Sequence, residues 1–344
     1  MDIGTRKLQI LSAIVEEYIR TGEPVGSKRV AQLLSFQVSP ATIRNEMAVL
    51  FDLGLLEQPY TSAGRIPSHL GFRVYLNQLL CCSPLTEAEK DEIDALFNVK
   101  NPDPDRLLED AAQALADFTG CVTISATSTP QHITVRRVDV IPVAPRTVML
   151  LVIAANGVIR SKVCRVDITL TPEVLEFFSK FANDRFAGRS LREISLGYIG
   201  SVAVALGEYS RVFTPLLAGI FELCKQIYDG QYYVGGNTNL LAYKEFSDVA
   251  HDLLTLLEKR DTLSGLAGPD GQTVTVTIGK ENAQSELSNT AVVVVKYNVG
   301  QDVCGAIGVI GPVRLDYSRL IPHLEYFAQT LGSLLTDTME QDKE

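Results

Sequence analysis

Apolar positions near the start of the chain recur at helical spacing, and stretches further on are rich in Val, Ile and Thr. Leu8, Leu11, Val15 and Tyr18, with Ile14 and Ile19 beside them, predict a helix over about Thr5–Arg20. Thr21-Gly22-Glu23-Pro24 breaks it. Ser27 is the expected N-cap of a short second helix carrying Val30, Ala31, Leu33 and Leu34. After a connection over Ser35–Val38, Ser39-Pro40 reads as N-cap and first position of a third helix. That helix runs to about Leu53 and stops at Gly54.

The third helix carries candidate chemistry. Ile43, Met47 and Leu50 share one face, which must pack inward. Ala41, Arg44, Asn45 and Ala48 share the opposite face, with Thr42 at its edge. Small residues allow close approach. Arginine can bond guanine O6 and N7 together, and asparagine can pair with adenine N6 and N7. The spacing is that of a recognition helix in a helix-turn-helix. Two plainer readings stay open: solvation of Asn45, and an ion pair from Arg44 to Asp52 or Glu46. Leu55-Leu56-Glu57 predicts a short strand. The turn-rich run Gln58–Pro67 then suits a flexible wing whose Arg65 reaches the DNA backbone or minor groove. Ser39, Lys28, Arg29, Thr61, Ser62 and Arg65 are the expected phosphate contacts.

Charge changes the picture only when it is located. The formal net charge is −10, which by itself disfavours a nucleic-acid partner. Residues 1–80, however, hold eight Lys/Arg against seven Asp/Glu, and the rest of the chain carries the acidic excess. Pro24–Asn45 and Gln58–Thr86 contain basic residues and no acid. The acids of the region, Glu16, Glu17, Glu23, Glu46, Asp52 and Glu57, flank those segments and are expected to face away from phosphates.

Beyond residue 85 the pattern mixes elements. Thr86 and Glu89 make a capping box for a helix through about Phe97. Asn101-Pro102-Asp103-Pro104 breaks the chain before a second helix to Phe118. Cys121–Ser128, Ile133–Ile141, Thr147–Ala154 and Val158–Val166 predict strands, the last two joined by a turn at Asn156-Gly157. Thr171-Pro172 opens a helix to about Ala187. Thr273–Ile278, Ala291–Tyr297 and Gly305–Ile310 predict further strands, and a helix over about Tyr317–Leu335 follows. Strands on both sides of a largely helical stretch over 190–264 suggest one sheet domain interrupted by an insertion. Tyr243, Phe246, Ala250, Leu253 and Leu257 give that insertion a broad apolar helix, buried in its own core or at a subunit interface.

Several functions are disfavoured. No run of 18 apolar residues exists, so no membrane-spanning helix is expected. The N-terminus lacks the pattern of a signal peptide, and a cytoplasmic location is expected. The six cysteines include no C-x-x-C pair, and the four histidines do not cluster, so no metal or other cofactor is expected. No P-loop, nucleophile elbow or zinc-protease motif occurs, which argues against an enzyme. Gly305, Gly308 and Gly311 lack dinucleotide-binding spacing and are read as sites of close strand packing.

Thr42-Ile43-Arg44-Asn45-Glu46-Met47, Gly54-Leu55-Leu56 and Thr61-Ser62-Ala63-Gly64-Arg65-Ile66-Pro67-Ser68 closely resemble the HrcA family of bacterial heat-inducible transcription repressors. Gly26-Ser27-Lys28 and Gly305–Pro312 fit as well. Phe51-Asp52 stands where the family pattern has two acidic residues, which leaves Phe51 on the surface. The resemblance implies repression of chaperone operons through an inverted repeat called CIRCE, bound by a homodimer. It implies a GroEL chaperonin that keeps the repressor folded and active, so that unfolded protein relieves repression. It further implies a GAF-like domain containing a dimerising segment.

The expected fold is therefore α+β and multidomain. A winged helix-turn-helix DNA-binding domain occupies 1–80, followed by a linker and helix over 81–104. A GAF-like α/β sheet domain occupies 105–190 and 265–344, and a largely helical dimerisation domain is inserted at 191–264. The expected partners are double-stranded DNA, the chaperonin and a second copy of the chain. The rival reading is a regulator whose GAF-like domain gates DNA binding by sensing a small molecule.

Overall fold

A computed structural model describes residues 4–97, 104–127, 133–169, 171–259, 273–299 and 302–341. The head follows the pattern of its sequence. Helices α1 (Thr5–Thr21), α2 (Ser27–Leu33) and α3 (Pro40–Asp52) pack through Ile10, Leu11, Ile14, Val30, Ile43, Met47 and Leu50, all buried. Strands β1 (Leu56–Glu57) and β2 (Ile66–Pro67) pair antiparallel as the base of a wing. Helix α4 (His69–Val74) follows, capped by Ser68, whose Oγ accepts from the Gly71 N–H at 3.0 Å. A turn of π-helix over Tyr75–Leu79, wider than the α-helix before it, ends the head.

One boundary differs from expectation. Gly26, not Ser27, is the N-cap of α2. Ser27 is the first helical residue and is buried. Val25, two residues earlier, pairs with Arg65 in an antiparallel bridge, and Gly26, between Val25 and Ser27, takes the extended conformation of the cap.

Helix α5 (Glu87–Leu96) starts with the expected capping box of Thr86 and Glu89. The breaker at 101–103 lies outside the described residues. Helix α6 (Pro104–Thr119) leads into β3 (Val122–Thr127). β3 belongs to a five-stranded antiparallel sheet of order β7-β3-β10-β9-β8, whose other members are β7 (Tyr232–Gly235), β8 (Val274–Ile278), β9 (Thr290–Val299) and β10 (Asp302–Pro312). Period-two alternation gives this sheet two buried faces. Val293, Val295 and Ile307 face α6 and the last helix, α11 (Tyr317–Gln341). Val292, Val294 and Ala306 face Phe246 and helix α10 (Ala250–Leu257). Glycine permits the central crossing: a Cβ on Gly308 would sit 2.7 Å from the Val293 carbonyl oxygen, and one on Gly305 would enter the Tyr297 ring.

The expectation of one sheet holding all the strands is corrected. β4 (Val135–Ala144), β5 (Thr147–Ala154) and β6 (Ile159–Arg165) form a separate three-stranded antiparallel sheet. Its buried face packs with α7 (Pro172–Phe186), α8 (Leu196–Ala205) and α9 (Ser210–Tyr228) around Val138, Leu150, Phe178, Phe213 and Ile220. The chain returns to the large sheet at β7, a strand inside the segment read as helical. The apolar helix around Leu253 then lies beneath that large sheet rather than in the second unit. Alternation identifies a strand and its buried face, but it carries no information about which edge the strand will join.

The head does not hang free of the sheet domain. Its core is continuous with the α6–α11 face of the large sheet. Arg73 donates to the Val276 carbonyl oxygen at 2.8 Å and to the Glu281 carboxylate, where Nε to Oε1 is 2.8 Å. On the other side, Arg314 pairs with Glu245 beside Gly22.

Candidate nucleic-acid interface

Helix α3 begins at a well-formed cap. Ser39 Oγ accepts from the Thr42 N–H at 3.1 Å and lies 2.9 Å from Thr42 Oγ1. Pro40 takes the first helical position, where its missing N–H costs nothing. Beyond the cap, burial splits α3 as its spacing predicts. Ile43, Met47 and Leu50 are buried, while Ala41, Arg44, Asn45 and Ala48 are exposed and Thr42 is half-buried.

Glu46 does not pair with Arg44. It turns into the protein, 8% exposed, where Arg6 and Lys7 of α1 bind it, Lys7 at 3.4 Å. The Arg6 hydrogen bond holds its carboxyl below the usual range. Arg44 has no ion-pair partner among the described residues. Its guanidinium therefore stands on the helix surface with its charge uncompensated, beside Asn45.

Glu17 is a second acid drawn inward. It is 8% exposed and accepts from Arg20 at 2.7 Å and from Arg29 Nε at 2.9 Å. These bonds lower its pKa to about 2. Arg29 thus ties α2 to α1 and shares its charge with Glu17, although its side chain stays 45% exposed. Lys28, one residue earlier, is fully on the surface. Two acids that sequence leaves near the basic surface are thereby neutralised from within.

The wing is more constrained than its composition suggests. Gln58 Nε2 donates to the carbonyl oxygens of Thr61 and Ala63, at 2.9 and 3.2 Å. The Ala63 N–H donates to the Tyr60 carbonyl oxygen at 2.8 Å. At the root, Val25 and Arg65 exchange two backbone hydrogen bonds of 2.8 and 2.9 Å. Gly64 makes this approach possible, since a Cβ there would lie 2.5 Å from the Val25 carbonyl group. Side-chain and backbone bonds bridge the wing, and Thr61 and Ser62 lie exposed at its tip.

Arg65 differs from the picture of a side chain extended into solvent. It is half-buried, and its guanidinium carbon lies 5.1 Å from the centroid of the Phe51 ring. Phe51, on the last turn of α3, is 42% exposed. The structure therefore gathers the start of α2, the exposed strip of α3 and the root of the wing through Val25–Arg65 and Phe51–Arg65. Sequence reasoning missed Gln58, Gly64 and Phe51 as determinants of this arrangement. The one available signal was the glycine in Ala63-Gly64-Arg65.

Three helices, the third capped by Ser39 and carrying a polar outer strip, and a two-stranded wing define a winged helix-turn-helix protein. A family model described as "Winged helix-turn-helix transcription repressor, HrcA DNA-binding" matches residues 3–75, and one described as "HrcA protein C terminal domain" matches residues 105–321. The chain belongs to the HrcA family of heat-inducible transcription repressors. Among its relatives, the heat-inducible transcription repressor HrcA of Ruminiclostridium cellulolyticum is 33% identical, covering 96% of this chain and 97% of that protein. The protein of the same name from Halalkalibacterium halodurans is 34% identical, covering 98% of each chain. A crystal structure described only as a hypothetical protein at 2.2 Å resolution matches with a TM-score of 0.64 and 26% identity. It covers 98% of this chain and all of that one.

Proposed function

We propose that the protein represses chaperone operons by binding the CIRCE inverted repeat as a homodimer, with α3 in the major groove of each half-site. The observation that carries this reading is the outer strip of α3. There the uncompensated Arg44 stands beside Asn45, and the small Ala41 and Ala48 leave room for base edges. Arg44 and Asn45 read bases, with Thr42 and Ala41 against the groove. Lys28, Ser39, Thr61, Ser62 and Arg65 hold phosphates, and Arg29, shared with Glu17, adds a weaker contact.

A two-fold operator calls for a two-fold protein. The unit over 133–229 offers surface for that. On the outer face of its sheet, Ile141, Met149 and Val163 stand in register, with Ile141 42% and Val163 61% exposed. On α8, Leu196 and Val204 are 72% and 81% exposed. Exposed apolar area of this kind supports a subunit interface. The five-stranded sheet with helices on both faces supports a GAF-like reading of the segments on either side of this unit.

Among the described residues no helix is long and apolar enough to cross a membrane, which fits a cytoplasmic repressor. Dependence on the GroEL chaperonin rests on the family resemblance, and the uncovered apolar positions offer it a physical basis. The test is a fluorescence-anisotropy titration against the inverted repeat and a scrambled duplex, over several salt concentrations, with and without chaperonin. Tight binding to the repeat and weaker, salt-sensitive binding to the scramble are expected. Equal weak binding to both duplexes in the presence of chaperonin would sink the proposal.

A further inference from the structure

Phe51 is an unexpected residue at the surface end of a reading helix, and its ring is not idle. It lies under the guanidinium of Arg65 at 5.1 Å. The backbone of Arg65 is fixed by its two hydrogen bonds to Val25. Its Nε is buried with no hydrogen-bond partner among the described residues. The same side chain has no ion-pair partner among them. A cation has thus been immobilised at the root of the wing without being neutralised.

The chemistry of the holder matters. A carboxylate at position 51 would fix the guanidinium equally well but would cancel its charge toward an incoming anion. An aromatic face attracts the cation through its quadrupole and leaves the outward charge intact. A long side chain ordered beforehand also loses less freedom when a ligand arrives.

We propose that Phe51 is a positioning residue, an aromatic platform that presents Arg65, ordered and uncompensated, to a backbone phosphate of the DNA at the wing. This rests on the reading of Arg65 as a DNA contact, and the test separates the two. Wild type, Phe51→Leu, Phe51→Tyr, Phe51→Glu, Arg65→Ala and the double variant Phe51→Leu/Arg65→Ala are titrated against the inverted-repeat duplex at several salt concentrations. Thermal unfolding of each variant checks the fold, and Phe51→Met replaces the leucine variant should that one unfold.

Phe51→Leu is expected to weaken binding roughly two- to fivefold, the range of an exposed cation–π contact. Phe51→Tyr restores wild-type affinity, and Phe51→Glu weakens binding further than leucine does. Arg65→Ala lowers the salt slope by about one, whereas Phe51→Leu leaves the slope unchanged. In the Arg65→Ala background, Phe51→Leu has no further effect. Weak binding by Arg65→Ala with wild-type binding by Phe51→Leu overturns the platform and keeps Arg65 as a contact. Unchanged binding by Arg65→Ala overturns both. Tighter binding by Phe51→Leu, or an equal loss with and without Arg65, also overturns the platform, because the ring would then be an obstacle or a general structural support.

Discussion

Arg29 of α2 donates its Nε to Glu17 of α1 at 2.9 Å, and Glu17, only 8% exposed, accepts from Arg20 as well. The pair joins two helices of the head and makes part of its stability depend on pH. The Arg20 and Arg29 hydrogen bonds lower the Glu17 pKa from 4.5 to about 2. A depressed carboxyl pKa stabilises the folded state above the unfolded value, and that contribution is lost as pH falls through the folded one. Protection of the α1 and α2 amides, taken relative to their intrinsic exchange rates at each pH, should therefore fall between pH 4.5 and about 2, and Glu17→Gln should remove that acid dependence. Unchanged protection across this window would show that the clamp does not hold the helices together.

Arg44 and Asn45 lie on the surface of a helix whose opposite face is fully buried. Arg44→Ala should cost about 1–3 kcal/mol in binding to the inverted repeat and relax discrimination at one base position. Lys28→Ala should instead weaken binding to all duplexes alike and reduce the salt slope. Competition titrations with single-base operator variants separate the two patterns. An Arg44→Ala protein that binds repeat and random DNA with wild-type affinity would falsify the base-reading role.

Gly64 has no room for a side chain, because a Cβ would meet the Val25 carbonyl group at 2.5 Å. The contact is with backbone, which cannot swing aside as a side-chain tip can. Gly64→Ala should therefore separate the wing root from the start of α2, destabilising the head by about 1–3 kcal/mol. DNA affinity should fall with it, since Arg65 moves too. The urea midpoint and the anisotropy titration, measured on the same preparation, check both effects.

Leu196 and Val204 are the most exposed large apolar residues of α8, two turns apart on one side of the helix. If this face meets a second copy, Val204→Glu should place a charge in the interface and shift sedimentation toward monomer. Stability of the monomeric fold should barely change, because the position is already solvated. Operator affinity should fall steeply through loss of the second half-site. Dimers that persist at wild-type strength would direct attention to the outer face of the three-stranded sheet, where Ile141, Met149 and Val163 align.

The interface between the head and the sheet domain offers one more measurable quantity. Arg73 spans it to Val276 and Glu281, and the Glu281 carboxyl is held below its usual range despite the opposing effect of burial. Glu281→Gln keeps the shape and removes the charge. It should raise hydrogen exchange in α4, with a coupling to Arg73→Ala of up to about 1 kcal/mol for a partly exposed pair.

Sequence by itself determined the first three helices of the head and the strand after them, but not α4 (His69–Val74) or the cap of α2. Those three helices are short and local, and their caps, breakers and apolar spacing act within a few positions, so Ser39, Pro40 and the Ile43–Met47–Leu50 face follow directly. Sequence also identified most strands of the larger part, because enrichment in Val, Ile and Thr between turn residues is a local property. Only the tertiary structure decided which strands share a sheet. Hydrogen-bonded edges bring together residues far apart in the chain, as β3 and β10 do, and β4–β6 carry no sequence mark of their separate sheet. The same limit governed the interface. Which acids turn inward to Arg6, Arg20 and Arg29, and which ring lies beneath Arg65, depend on packing between elements rather than on periodicity within one.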